Sequence, residues 1–195
     1  MNRPAPRRAH LLEVAQSLFN QHGYHRTGID AIMNASGVSK TTLYKHFRTK
    51  EDLVLELLDV RSRGILEAME AQIADAETKA MKKNGAPATA AQRVAAIIDV
   101  VDDWVGGEAF CGCNFIRAVS EYETENAAIT DRARAHKAAV KDLIETQLDA
   151  GTKTQRALTA EQIMLIIDGA IVSAHVRQRG DAMKSARRLV ELVLA

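Results

Sequence analysis

The chain has 195 residues, 47% of them hydrophobic and 26% charged, with a formal net charge of +1. That length suits one domain or a small domain beside a larger one, and the composition excludes fibrous and disordered classes. Three prolines amid abundant Ala, Leu, Glu, Lys and Arg predict an all-α protein.

The longest apolar run of the C-terminal half, Ile163 to Ile167, stops at Asp168. It falls short of the roughly 18–20 residues of a membrane span, so no membrane partner is expected. The basic start is not followed by the apolar stretch of a secretory signal. Cys111 and Cys113 stand too close together to staple a fold, and a cytoplasmic location is expected. The small net charge conceals a division: residues 1–50 carry eight Lys/Arg against two acids, +6, leaving 18 against 23, −5, for the rest. A basic end on an acidic body points to a polyanionic partner at that end.

In chain order, Leu11, Leu12, Ala15, Leu18 and Phe19 form one apolar face of a first helix from about Arg7 to His22, stopped by Gly23. Thr27 and Asp30 resemble a capping box for a short second helix ending at Ala35-Ser36-Gly37. Ser39 caps a third, Lys40 to Phe47, and Thr49 a fourth. The fourth is the longest, carried about seven turns by Leu53, Leu57, Val60, Ile65, Ala68 and Ile73. Residues 82–87 read as a linker, and Thr89 with Gln92 as the capping box of a fifth helix broken at Gly106-Gly107. A sixth helix is expected from Asn114 to Glu123 and a seventh from Ala127 to Ala150. The eighth is expected to open at a Thr159–Gln162 capping box and to end near Gln178, and a ninth to run from an Asp181 cap to Leu194.

Three short helices with a Gly-centred turn before the third form a helix-turn-helix pattern. The third helix offers small polar and basic residues near its N-terminus: Lys40, Thr41, Thr42 and His46 are expected to face bases in the major groove of operator DNA. Thr27, Tyr44, Lys45 and Lys50 are expected on phosphates. Arg3, Arg7 and Arg8 form a basic arm that either adds phosphate or minor-groove contacts or only raises local charge.

These residues resemble the TetR family of transcriptional regulators. The likeness lies in Gly23-Tyr24-His25-Arg26-Thr27, Ile29, Ile32, Ala35 and Ser36-Gly37-Val38-Ser39, then Thr42-Leu43-Tyr44-Lys45-His46-Phe47, Lys50-Glu51 and Leu53, about residues 7–55. Gly28 and Thr41 depart from that pattern, where Thr or Ser and Gly are frequent. The resemblance implies residues 1–50 as the DNA-binding domain and 51–195 as an effector-binding and dimerisation domain, in about nine helices. It also implies a repressor released from a palindromic operator by a small-molecule effector, and no enzyme. Homodimerisation is expected through the last two helices, by Ile163, Ile167, Ala170, Ala174, Ala186, Leu189, Val190 and Val193. Trp104, Phe110, Phe115, Arg117, Tyr122 and His175 are candidates for the effector pocket.

Cys111-Gly112-Cys113 admits two readings. It is either a close-packing segment or a thiol pair, and the second makes the chain a cysteine-based redox-sensing regulator or enzyme. His136 or His175 could join the thiolates on a metal, but the remaining ligands lack a diagnostic spacing, so neither metal nor cofactor is expected.

Overall fold

The computed structural model describes residues 4–149, 151–177 and 180–195, and among them the chain forms nine α-helices and no strand. They are α1 (Pro4–His22), α2 (Ile29–Ser36), α3 (Lys40–His46), α4 (Lys50–Asn84), α5 (Ala90–Gly106), α6 (Asn114–Tyr122), α7 (Ala127–Thr146), α8 (Lys153–Val176) and α9 (Ala182–Leu194). Arg3, Ala150 and Gln178, named above, lie outside the described residues.

The helices fall into two compact units. One holds the described residues up to Arg61 together with Asn114–Arg134; the other holds Ser62–Cys113 and the described residues from Ala135 onward. In the first unit the apolar face of α1 is buried as its periodicity requires, with Leu11, Ala15 and Phe19 all but inaccessible beside Ile32, Leu43, Leu53 and Leu58. α1 begins at Pro4, so Arg7 and Arg8 belong to a helix and not to a loose arm. Arg8 pairs with Glu56 at 3.0 Å and its guanidinium lies 5.2 Å from the Phe47 ring centroid.

Local capping chemistry sets several boundaries. Thr49 and Asp52 cap α4 reciprocally: the Asp52 amide donates to the Thr49 hydroxyl at 3.0 Å and the Thr49 amide to the Asp52 carboxylate at 3.2 Å. α4 runs for 35 residues and takes Lys82 and Lys83, expected in a linker, into its last turn. Cations suit that end of a helix, and Gly85, at φ 66°, accepts the left-handed conformation that closes it. Thr89 and Gln92 form the expected capping box of α5. α8 opens seven residues before the expected Thr159, at a capping box of Thr152 and Gln155. Two Thr-x-x-Gln patterns occur in succession with no helix breaker between them, so the helix starts at the first. Asp181 precedes α9 without a side-chain cap, and α7 ends at Thr146.

The second unit has a single apolar core. Val94, Ile97, Ile98 and Val101 of α5 meet Val140 and Ile144 of α7, Ile163, Ile167, Ile171 and Ala174 of α8, and Met183, Ala186 and Val190 of α9. α8 and α9 make the most extensive helix pair. By length and composition α8 is apolar enough to cross a membrane, with a mean hydropathy of 1.5 in its most apolar window. Its inner face is explained by this core, and its Asp168 is paired with Lys137.

Candidate nucleic-acid interface

The turn between α2 and α3 is three residues, Gly37, Val38 and Ser39. Gly37 takes the left-handed conformation at φ 65° and its amide closes α2 on the Met33 carbonyl at 2.9 Å. Ser39 then caps α3, its hydroxyl accepting the Thr42 amide at 3.3 Å. Leu43 anchors α3 at 0% exposure and Phe47 follows it into the core. With 3.6 residues per turn, burying 43 and 47 turns the opposite side outward.

That side carries Lys40, Thr41, Tyr44 and Lys45, all exposed, while Thr42 and His46 are half-buried. The Thr42 hydroxyl lies 3.0 Å from that of Ser39, and the His46 ring sits beside Phe47. Tyr44 is 42% exposed, so part of its side chain reaches solvent on this face. Arg26 and Arg48, given no DNA contact by the sequence, are also exposed in this unit.

Two residues expected on phosphates are placed differently. Thr27 is 2% exposed, and its hydroxyl donates back to the Gly23 carbonyl at 2.7 Å. The N-cap of α2 is therefore Gly28, with no side-chain bond, and the Thr27 hydroxyl locks the preceding turn instead of capping a helix. Lys50 donates from Nζ to the Tyr24 carbonyl at 3.2 Å, which ties the start of α4 to the same turn.

A polar face of α6 meets that turn as well. Arg117 donates to the carbonyls of Phe19 and Asn20, at 2.9 and 3.0 Å, satisfying the C-terminal end of α1. The Asn114 side-chain amide donates to Asn20 Oδ1 at 2.8 Å, and Tyr24 OH donates to the Asn114 carbonyl at 3.3 Å. Glu121 accepts the amides of Tyr24 and His25, at 3.2 and 2.6 Å. Asn114, Arg117 and Glu121 recur at i, i+3 and i+7, so their shared face was visible in the sequence as a polar stripe beside the buried Phe115, Ala118 and Tyr122.

Tyr122 is 2% exposed and its hydroxyl has no hydrogen-bond partner among the described residues. Burial, helped by the Glu51 and Glu121 carboxylates, pushes its phenol well above the ordinary tyrosine range. Its unfolded form ionises near pH 10, so the folded state loses stability as pH rises beyond that value. Tyr122→Phe is expected to remove this alkaline loss. At pH 7 it should leave stability unchanged or raise it by up to about 1 kcal/mol, since no bond is broken. Chemical denaturation at pH 7 and above pH 10 checks both; a loss of more than about 1 kcal/mol at pH 7 would reveal a partner for the hydroxyl.

The six residues expected to line one effector pocket divide between the units. Phe115, Arg117 and Tyr122 belong to the first, as just described. Trp104, Phe110 and His175 come together in the second, with Trp104 and Phe110 edge to face at 5.0 Å and Phe110 and His175 at 6.1 Å. The division follows from the loop before α6, where the chain leaves one unit for the other between Cys113 and Asn114. Gly112, at φ 90°, sits so close to the His175 ring that a β-carbon there would lie 3.1 Å from it. Cys111 and Cys113 are both half-buried. His136 is buried against Ser62, Nδ1 to Oγ 2.9 Å, and among the described residues no three His, Cys, Asp or Glu side chains gather as metal ligands.

The expected dimer residues are largely the core of the second unit. Ile163, Ile167, Ala170, Ala174, Ala186 and Val190 are buried within this chain, Val193 is half-buried against the same core, and only Leu189 is exposed. The outward stripe is a different one: Leu158, Leu165, Val172 and Val176 on α8, with Leu189 and Leu192 on α9. A groove between the helices is lined by Leu165, Ile166, Gly169, Ser173, Ser185 and Leu189. Both stripes have helical spacing, and only the packing tells which one faces inward.

The first three helices and the turn before α3 define a helix-turn-helix module. Residues 11–57 match the family model of bacterial regulatory proteins, tetR family. The chain is similar to that family over this segment. It is 46% identical over 52 residues to the HTH-type transcriptional activator FasR of Mycolicibacterium smegmatis, covering 27% of this chain and 24% of that protein. It is 38% identical over 69 residues to the HTH-type transcriptional repressor KstR2 of Mycobacterium tuberculosis, covering 35% and 32%. The chain thus spans only a quarter to a third of the length of these curated relatives. Over nearly its whole length it resembles the crystal structure of a TetR-family transcriptional regulator from Streptomyces coelicolor, with a TM-score of 0.84, 28% identity and coverage of 98% and 90%.

Proposed function

We propose that the chain is a sequence-specific, cytoplasmic DNA-binding regulator that reads a palindromic operator as a homodimer and is released from it by a small-molecule effector. The observation that carries this reading is the outward face of α3. Lys40, Thr41, Tyr44 and Lys45 are exposed on a helix fixed from behind by Leu43 and capped by Ser39. Lys40 and Thr41 are assigned to base edges, with Thr42 and His46 flanking them; Tyr44 and Lys45 are assigned to phosphates. Thr41 adds a hydroxyl where a glycine is frequent in the family, so this chain's base preference is its own.

The outward apolar stripe of α8 and α9 supports a dimer, which sets two recognition helices at about 34 Å or a multiple of it. Release by an effector rests on the family resemblance and on the Trp104, Phe110 and His175 group in the second unit. The relatives named above include an activator and a repressor, and repression is the reading adopted here. Among the described residues the half-buried cysteines belong to no cluster of three or more ligating side chains, and the redox reading gains nothing from that arrangement.

The test is a selection of bound duplexes from random-sequence DNA, followed by two substitutions. Lys40→Ala is expected to relax preference at particular base pairs by about 1–3 kcal/mol. Lys45→Ala is expected to weaken binding evenly across sequences and reduce the salt slope by about one. If neither variant changed DNA affinity, α3 would not be the recognition helix.

A further inference from the structure

We infer that Glu121 of α6 is a positioning residue for DNA reading, holding the turn after α1 so that α2 and α3 stand in register; this rests on the assignment of α3 given above. The peptide joining Tyr24 to His25 is gripped at both ends. Its N–H donates to Glu121 Oε2 at 2.6 Å, and its C=O accepts Lys50 Nζ at 3.2 Å. The preceding N–H, that of Tyr24, donates to the other carboxylate oxygen at 3.2 Å. A peptide plane held at N–H and C=O has no freedom to rotate. One side of the grip comes from α6 and the other from the first residue of α4.

The neighbouring residues pass this constraint on to α2. The His25 ring packs against Tyr122, centroids 4.7 Å apart and planes tilted by 38°, and its Nε2 contacts the Glu121 backbone carbonyl and lies 3.6 Å from the Glu125 carboxylate. Thr27 closes the turn on the Gly23 carbonyl, and α2 starts two residues later. Gly23 admits the carboxylate: its φ is 85°, and a β-carbon there would stand 2.8 Å from Glu121 Oε1.

The demand is for a carboxylate in particular. Two N–H donors meet two acceptor oxygens, a charge-assisted arrangement. Glutamine keeps one acceptor and turns an NH₂ group against the other donor. Aspartate is one methylene short.

The experiment compares the parent chain with Glu121→Gln and Glu121→Ala, each at a temperature where circular dichroism shows it folded. Affinity is measured for a duplex selected by the parent protein and for calf-thymus DNA. Amide resonances of Tyr24 and His25 are followed by ¹H–¹⁵N correlation. Both variants are expected to lose about tenfold or more in affinity for the selected duplex while binding calf-thymus DNA within about twofold of the parent, as exposed cations supply the non-specific term. Both amide resonances should move upfield, and Glu121→Asp should not rescue the affinity. A preserved preference for the selected duplex, a parallel loss on both DNAs, or unmoved amide resonances overturns the proposal. If the parent protein itself shows no preference between the two DNAs, the assignment of α3 falls and this inference falls with it.

Discussion

Leu165→Arg is expected to convert the protein into a folded monomer and to weaken binding to a palindromic duplex by about 10²–10⁴-fold, because the second half-site contact ceases to be intramolecular. Leu165 is 66% exposed on α8, between Leu158 and Val172 on the same stripe. Single exposed leucines are ordinary, but six large apolar side chains along α8 and α9 form a patch of the kind that marks an interface. An arginine there costs nothing in the monomer, where it faces water, and brings an unpaired charge into an isologous contact twice over. Ile163→Ala provides the contrast. Ile163 is fully buried within the chain, so truncation should cost about 2–5 kcal/mol of stability through the transfer and cavity terms. Sedimentation velocity and duplex titration on both variants separate the two roles. A dimeric Leu165→Arg protein with full affinity would move the interface off this stripe.

Arg93→Ala is expected to lower stability by about 3 kcal/mol, with Arg93→Lys recovering less than half. The Arg93 side chain is 11% exposed and serves four acceptors around the start of α5. It donates to the Gln147 carbonyl at 2.8 Å, to Asp149 at 2.5 Å, to Glu77 at 3.3 Å and to the carbonyl of Ala88. Glu77 in turn accepts the Ala88 amide at 2.7 Å. One guanidinium thereby joins the last turns of α4, the cap of α5 and the end of α7, all within the second unit. The pairs with the half-buried Glu77 and the exposed Asp149 contribute little, screened as they are by solvent. The loss comes from the two backbone carbonyls left without a donor, and an ammonium cannot reach both. Thermal unfolding should show a drop of roughly 6–12 °C for Arg93→Ala. A drop under about 2 °C would mean that water replaces the guanidinium at no cost.

Chain-local signals were the legible part of this fold. Gly37 and Ser39 announced the turn before α3 and its cap, and Thr89 with Gln92 opened α5 where the pattern placed it. The same signals misled where tertiary packing chooses between equals. Thr27-x-x-Asp30 and Thr49-x-x-Asp52 have the same form, yet only the second is a capping box, because burial turns the Thr27 hydroxyl back onto Gly23. Ile163 and Leu165 are neighbours of similar hydrophobicity on α8, and the choice of which faces α5 depends on a partner far away in sequence. Within the candidate interface, the exposed basic face of α3 was readable from its spacing. The hold exerted by Asn114, Arg117 and Glu121 was not, since it joins positions about 95 residues apart, and no local rule reaches that far.

That long-range hold bears on how such proteins can be recombined. A cut at residue 50, or even at Arg61, looks like a natural seam for swapping recognition modules between regulators. Here the module's supporting contacts would be left on the wrong side of it. The carbonyls at the end of α1 and the amides of Tyr24 and His25 find their partners on α6. A graft meant to carry the DNA preference proposed for this chain onto another body must therefore bring residues 114–134 along, or find in its host a glutamate and an arginine at matching places.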